Sequence, residues 1–373
     1  MKTKLTIFLS LLFVVGFFLY LFRQRFIPFL LTPRQVDNFV TETISPANPE
    51  IVAQNLSVPW EIGFLPNGDF LVTERSGKLL EIGAETKLIK EIEGVKHIGE
   101  GGLLGLALHP HFSTNHFIYL YSTTQNSQGL ANRVERYQLL GNSLSDRKVI
   151  LEGIKGSSNH DGGRIAFGPD SYLYITTGDA ENSSLAQDKT SLNGKILRIK
   201  DDGNFPTDNP FGNAVYSLGH RNPQGLAWDK NGTLWETEHG PSGSQTGYDE
   251  VNIIVKGGNY GWPIIKGDQV RSGLISPIIQ SGSKDTWAPS GLAYVDGSLF
   301  FSGLRGETLY QAKISSNNKL NLTRHLSQQF GRLRAVVLGP DGYLYISTSN
   351  TDGRGKPKTG DDKIIKVNPK LFK

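Results

Sequence analysis

From about residue 50 onward, helical periodicity is weak and short apolar runs alternate with turn signals. The same pattern recurs six times. It is seen in Phe64-Leu-Pro-Asn-Gly-Asp-Phe-Leu-Val-Thr73, in Leu106-Ala-Leu-His-Pro-His-Phe112 with Phe117-Ile-Tyr-Leu-Tyr121, and in Ile165-Ala-Phe-Gly-Pro-Asp-Ser-Tyr-Leu-Tyr-Ile-Thr176. It returns in Leu226-Ala-Trp-Asp-Lys-Asn-Gly-Thr-Leu-Trp235, Leu292-Ala-Tyr-Val-Asp-Gly-Ser-Leu-Phe-Phe301 and Val336-Val-Leu-Gly-Pro-Asp-Gly-Tyr-Leu-Tyr-Ile-Ser347. Each unit reads as an apolar strand, a Pro/Asp/Asn-Gly turn and an aromatic-rich strand, which is a hairpin signal. Several continue into a further strand, such as Gly194-Lys-Ile-Leu-Arg-Ile199 or Lys363-Ile-Ile-Lys-Val367. Spacings of roughly 45 to 65 residues suit propeller blades better than solenoid repeats. The pattern predicts an all-β, six-bladed propeller of four-stranded blades over residues 49–373. A strand near Glu50–Asn55 would complete the last blade. Ligands of such a fold sit at the central channel, so the long insertions between units two and five are the expected place for functional loops.

The N-terminus breaks this pattern. Leu5 to Phe22 is an uncharged apolar run flanked by Lys2/Lys4 and Arg23/Arg25. It reaches the lower length limit of a spanning helix and has no small-x-small cleavage site after it. Residues 1–25 are therefore expected to be an uncleaved membrane anchor rather than a secretory signal. Residues 26–48, rich in Pro, Thr, Asn and Ser towards their end, read as a linker. Cleavage would make the protein secreted.

Charge changes the picture once the chain is divided. The formal net charge is +4. Residues 1–36 hold five basic residues and no acid, leaving 34 basic against 35 acidic residues. The body is close to neutral, so nucleic acid is not an expected partner. The absence of Cys excludes disulfides, thiolate metal sites, Cys nucleophiles and a lipid anchor on an N-terminal Cys.

Four clusters carry side chains suited to chemistry. Asn159-His160-Asp161-Gly162-Gly163-Arg164 precedes the third unit, and its imidazole is either a proton acceptor with room for a ligand or a turn histidine. Asp179, ending the next strand, either orients that ring or is an ordinary turn residue. Leu218-Gly-His-Arg-Asn-Pro-Gln-Gly225 places Arg221 and Asn222 in a bounded loop, where Arg suits a planar carboxylate or merely faces solvent. Glu238-His-Gly-Pro241, Asp249-Glu250 and Gly258-Asn-Tyr-Gly-Trp-Pro263 supply oxygens of the kind calcium takes, without an EF-hand pattern. Arg332 and Arg334 alternate onto one strand face, with Arg305 nearby; that face is either an anion site or a solvated edge.

Read in order, the loops Gly101-Gly-Leu-Leu-Gly-Leu-Ala-Leu-His-Pro110, Leu218–Gly225, Glu238–Pro241, Asp249-Glu-Val-Asn252, Gly257–Pro263, Trp287-Ala-Pro-Ser290 and Arg332-Leu-Arg334 are more specific than any one of them. From about residue 50 to its end the chain resembles the soluble quinoprotein glucose/aldose sugar dehydrogenases, which use pyrroloquinoline quinone (PQQ) and calcium. The resemblance also implies the six-bladed propeller. It implies that His160 is the base acting on the anomeric hydroxyl and that Asp179 orients it. Arg221 and Asn222 would lie near the quinone oxygens, and Arg305, where the glucose enzymes have Lys, would keep a cation there. Arg332 and Arg334 would bind the cofactor, as would Glu100, where Gln is common. The carbonyls of Gly240 and Pro241 would hold the cofactor's calcium; Glu250 and Tyr260, with Asp249, would form a second, structural site. Asn159, Asp161 and His239 depart from the glucose-enzyme pattern and point to the broader aldose branch. The expected partners are an aldose sugar, a membrane quinone or small redox carrier as electron acceptor, and the membrane through the N-terminal helix, with the catalytic domain outside the cytoplasm. A metal-dependent lactonase and a non-catalytic carbohydrate- or partner-binding propeller are the competing readings.

Overall fold

The computed structural model describes residues 48–241 and 247–372, together with the backbone of Thr41–Glu42. Six antiparallel sheets surround a central channel. Blade 1 is Pro59–Phe64, Phe70–Glu74, Lys78–Ile82 and Thr86–Glu91; blade 2 is Leu103–Leu108, Phe117–Asn126, Gly129–Leu140 and Ser143–Lys155. Blade 3 comprises Ile165–Phe167, Leu173–Thr177, Lys195–Ile199 and Val215–Leu218. Blade 4 comprises Pro223–Trp228, Leu234–Glu238, Glu250–Ile254 and Ile279–Gln280. Blade 5 is Pro289–Val295, Ser298–Gly303, Thr308–Ile314 and Leu320–His325. Blade 6 is Leu333–Leu338, Leu344–Thr348, Ile364–Val367 and, as its outer strand, Glu50–Ala53. The expected ring closure by the strand after residue 49 is thus observed, in antiparallel register with the C-terminal strand.

The turns follow from their residues. Gly68, Gly232, Gly297 and Gly342 close hairpins at positive φ. The Asp beside several turns ties down the backbone: Asp229 Oδ1 accepts from the amides of Asn231 and Thr233, and Asp341 Oδ1 from that of Tyr343. Packing explains the missing polar alternation in the second strand of each blade. Phe70–Glu74, Leu173–Thr177 and Leu344–Thr348 are buried at every position, because neighbouring blades cover both faces. The outer strand Thr86–Glu91 is largely exposed. Each interface between adjacent blades has its own apolar cluster. Leu71 and Leu79 meet Leu106 and Leu120 between blades 1 and 2, and Phe70 and Val72 meet Tyr345 and Ile364 between blades 6 and 1. The ring is therefore held by burial at each junction, including the one where its ends meet.

Two features go beyond the sequence reading. Thr41–Glu42, within the expected linker, runs parallel to the outer strand of blade 5, pairing with Thr323 and Arg324. An outer strand offers unpaired backbone groups that an extended segment can meet. No helix among the described residues is long and apolar enough to cross a membrane. The Leu5–Phe22 run expected to do so lies outside them.

Candidate functional site

In every blade the first strand lines the channel and runs antiparallel to the second. The loop entering strand one and the loop leaving strand two therefore lie at the same end. That topology gathers residues from distant parts of the chain around one cavity of about 470 Å³. Glu100 comes from the entrance to blade 2 and His160 from that to blade 3. Arg221 precedes blade 4, and Arg332 with Arg334 opens blade 6. The loops leaving second strands add His239, Gly240 and Pro241 in blade 4, Arg305 in blade 5 and Arg354 in blade 6.

His160 has φ 62°, a left-handed conformation that few residues other than glycine adopt. Its loop rests on Gly178, where a Cβ would lie 1.9 Å from the His160 carbonyl oxygen. Glycine there lets the loop sit directly over the end of the second strand. Asp179, the next residue, then reaches the ring. His160 Nδ1 lies 2.8 Å from Asp179 Oδ1. An ionised carboxylate only accepts, so Nδ1 carries the proton and Nε2 presents a lone pair. The other carboxylate oxygen of Asp179 accepts from Trp262 Nε1 at 2.8 Å, and Oδ1 also accepts from the Glu181 amide. Asp179 itself is buried, whereas His160 lines the cavity.

Five arginines line this cavity, Arg221, Arg305, Arg332, Arg334 and Arg354, against the carboxylates of Glu100, Glu181 and Asp249. Arg332 and Arg334 share Asp352, at 2.9 and 3.8 Å. Burial, with the Arg75 charge behind it, pushes Arg334 down to about 9. His239 Nε2 is buried and has no hydrogen-bond partner among the described residues. Arg221 donates from Nη1 to the His239 carbonyl, and its guanidinium lies 5.5 Å from the Trp262 ring. Its amide donates to Glu238 Oε2 at 2.9 Å.

The other sequence-predicted residues stand around this centre. Asn222 is wholly buried; its Oδ1 accepts from the Gly162 amide and its Nδ2 donates to Glu100, so it locks the His160 loop to the arginine loop. Asp249 lines the cavity, but its oxygens serve four protein donors: the amides of Gly240, Trp287 and Ala288 and the Thr286 hydroxyl. It fixes the Gly240-Pro241 turn in place. Glu250 is buried, across the ladder from Glu238. With Glu236 these carboxyls are raised above the usual range, by burial first and by neighbouring carboxylates next. The Tyr260 hydroxyl accepts from the Val255 amide and donates to the Ile253 carbonyl, while its ring stacks on His220. Among the described residues no trio of His, Asp or Glu is placed to hold a metal ion.

Sequence reading missed Arg354 and the bond of Trp262. Arg354 sits in a polar loop of blade 6 with no local signature. Trp262 lies in a quoted motif, yet its partner is 83 residues away.

Comparison with known proteins agrees with this architecture. The family model for glucose/sorbosone dehydrogenase matches residues 56–359. The aldose sugar dehydrogenase YliI of Escherichia coli is 33% identical over 358 residues, covering 87% of this chain and 93% of that protein. The PQQ-bound form of the aldose sugar dehydrogenase from Streptomyces coelicolor is 40% identical, with a TM-score of 0.80 over 87% of this chain and 99% of that one. A structure described as an oxidoreductase (glucose dehydrogenase) from Thermus thermophilus is 44% identical, with a TM-score of 0.82 over 86% and 99% of the two chains. The chain belongs to the glucose/sorbosone dehydrogenase family, as an oxidoreductase of the aldose sugar dehydrogenase type.

Proposed function

We propose that this protein oxidises aldose sugars at the anomeric carbon to lactones, with PQQ and calcium as cofactors and His160 as general base. The observation that carries this reading is the His160–Asp179 pair, 2.8 Å apart, opening onto a cavity walled by five arginines. A ligand with three carboxylates and an ortho-quinone fits that wall: Arg332 and Arg334 can grip carboxylates in pairs, and Arg221 and Asn222 stand beside His160. The unpartnered His239 Nε2 offers one more polar contact. The Gly240 and Pro241 carbonyls, in the turn whose Gly240 amide Asp249 holds, are the proposed calcium donors at the cavity wall, with Glu250 and Tyr260 proposed for a second calcium away from the engaged Asp249 carboxylate. Glu100 and Arg305 complete the cofactor's surroundings.

When bound, PQQ supplies the two-electron acceptor, and calcium polarises it as a Lewis acid. The chain's own part is proton transfer and placement. His160 Nε2 takes the proton of the anomeric hydroxyl. Asp179 holds the opposite nitrogen protonated and stabilises the imidazolium that forms. Trp262 fixes the second oxygen of Asp179. Trp262→Phe, which keeps the ring and loses the N–H, is expected to lower kcat by roughly tenfold with little change in KM. Steady-state kinetics on a preferred aldose would check this.

The apolar Leu5–Phe22 run supports a tether that keeps the propeller outside the cytoplasm, with electrons passing to a membrane quinone or small redox carrier. To test the reading, purified protein would receive calcium and PQQ, and dye reduction would be followed across a panel of aldoses. Turnover is expected only with both additions. Failure of the protein to bind PQQ would overturn the reading.

A further inference from the structure

We propose that Arg354 belongs to the cofactor pocket as the counter-charge of Glu100, allowing an acidic side chain to stand in a cavity that receives a polycarboxylate. The inference rests on the PQQ reading above and concerns residues that reading leaves without a joint role.

Glu100 lines the cavity, and its side chain is only 15% exposed. Its Oε2 accepts from the His160 amide at 3.1 Å and from Asn222 Nδ2 at 3.3 Å. Glu100 therefore supports the unusual backbone of His160. Its other oxygen, Oε1, accepts from Arg354 Nη1 at 2.7 Å. The second arm of Arg354 donates to Asn159 Oδ1 at 2.8 Å, and Asn159 in turn donates to Glu181. One guanidinium thus joins the blade 6 loop to the loops entering blades 2 and 3, at the rim above His160.

The charge balance gives the bridge its meaning. An anionic ligand entering beside Glu100 meets a like charge, and like charges placed close together in a partly desolvated cavity oppose binding. Burial opposes the charged form of Glu100, while the neighbouring His239 ring, the Arg354 guanidinium and the His160 amide favour it. Arg354 is the cavity arginine that donates to Glu100 Oε1, at 2.7 Å. It removes the repulsion while leaving Oε2 free to hold the His160 amide. A neutral amide at position 100 would need no such partner.

The test is a titration of the purified full-length protein with PQQ, followed by tryptophan fluorescence quenching in calcium buffer, with no sugar present. Arg354→Gln is expected to weaken binding by roughly 5- to 30-fold, between the upper end for an exposed charge pair and the lower end for a buried one. Arg354→Lys, which keeps the charge, should stay within about fivefold of wild type. The informative variant is Glu100→Gln/Arg354→Gln, expected to return to within about threefold of wild type, because removing both charges removes the conflict. Wild-type affinity in Arg354→Gln would overturn the proposal. So would a loss that the double variant fails to rescue, which would make Arg354 a direct ligand contact or a loop support. If wild type itself bound no PQQ, the reading of the cavity would fall, and this pair's role with it. Melting curves on each variant separate lost binding from lost folding.

Discussion

His160→Ala is expected to lower kcat by roughly 10²- to 10⁴-fold, while PQQ still binds. The His160 imidazole lines the cavity in an orientation that fits proton abstraction. Asp179 takes its Nδ1 proton in a hydrogen bond, leaving Nε2 as the acceptor. The arginines beside it hold anions but take no proton at neutral pH. Asp179→Asn is the more demanding test. The side chain would keep its shape, because the amide is isosteric and its oxygen can still accept from Trp262 Nε1, although the Glu181 amide would lose its acceptor. The amide nitrogen would then face His160 Nδ1 as a donor and force the ring proton onto Nε2, the atom that must receive the substrate's proton. A comparable tautomer error in a Ser-His-Asp hydrolase costs about 10⁴ in kcat. A loss of that order with KM and PQQ affinity near wild type would show that Asp179 acts through the tautomer. Near-wild-type kcat in His160→Ala would remove His160 from the mechanism and leave the non-catalytic reading in force.

Much of this site was legible before the fold was known, for reasons that differ residue by residue. A strand, a turn rich in Pro, Asp, Asn and Gly, and an aromatic-rich strand form a local signal, so six copies of that pattern reveal six blades. Arg332 and Arg334 could be placed on one face because strand alternation is also local. His160 and Asp179 come from neighbouring loops of one blade. What stayed hidden is what crosses the ring. Arg354 meets Glu100 from 254 residues away, and nothing near Arg354 marks it as a pocket residue. Asp249 looked like a metal ligand by residue type, yet its carboxylate is surrounded by backbone amides, a role no composition shows. Loops at one mouth of a propeller become neighbours only once the blades have closed, and closure is a property of the whole chain.

Arg164 makes the same point for stability, with an effect of similar size. It ends the His160 cluster in sequence, but it points down the channel. There it pairs with Glu61 from blade 1, its Nε donates to the Gln224 carbonyl, and its guanidinium lies 4.2 Å from the Trp60 ring centre. Both charged side chains are about 6% exposed. They sit between the site cavity and the opposite, largely apolar mouth, which they also line. Glu61→Ala would leave a desolvated cation without its partner, at an expected cost of about 3–5 kcal/mol. For a protein of this size that is a fall in apparent melting temperature on the order of 10 °C. Glu61→Leu/Arg164→Met removes both charges and fills the space, so it should melt near wild type, since apolar replacements of buried pairs are often neutral or stabilising. Calorimetric scans at one fixed rate would compare the variants. A fall in Glu61→Ala that the double replacement reverses would mean that the pair closes the channel waist at little net gain, its importance lying in the penalty for breaking it. A double variant as unstable as the single one would mean instead that Arg164 supports the ring through Gln224 and Trp60, independently of Glu61.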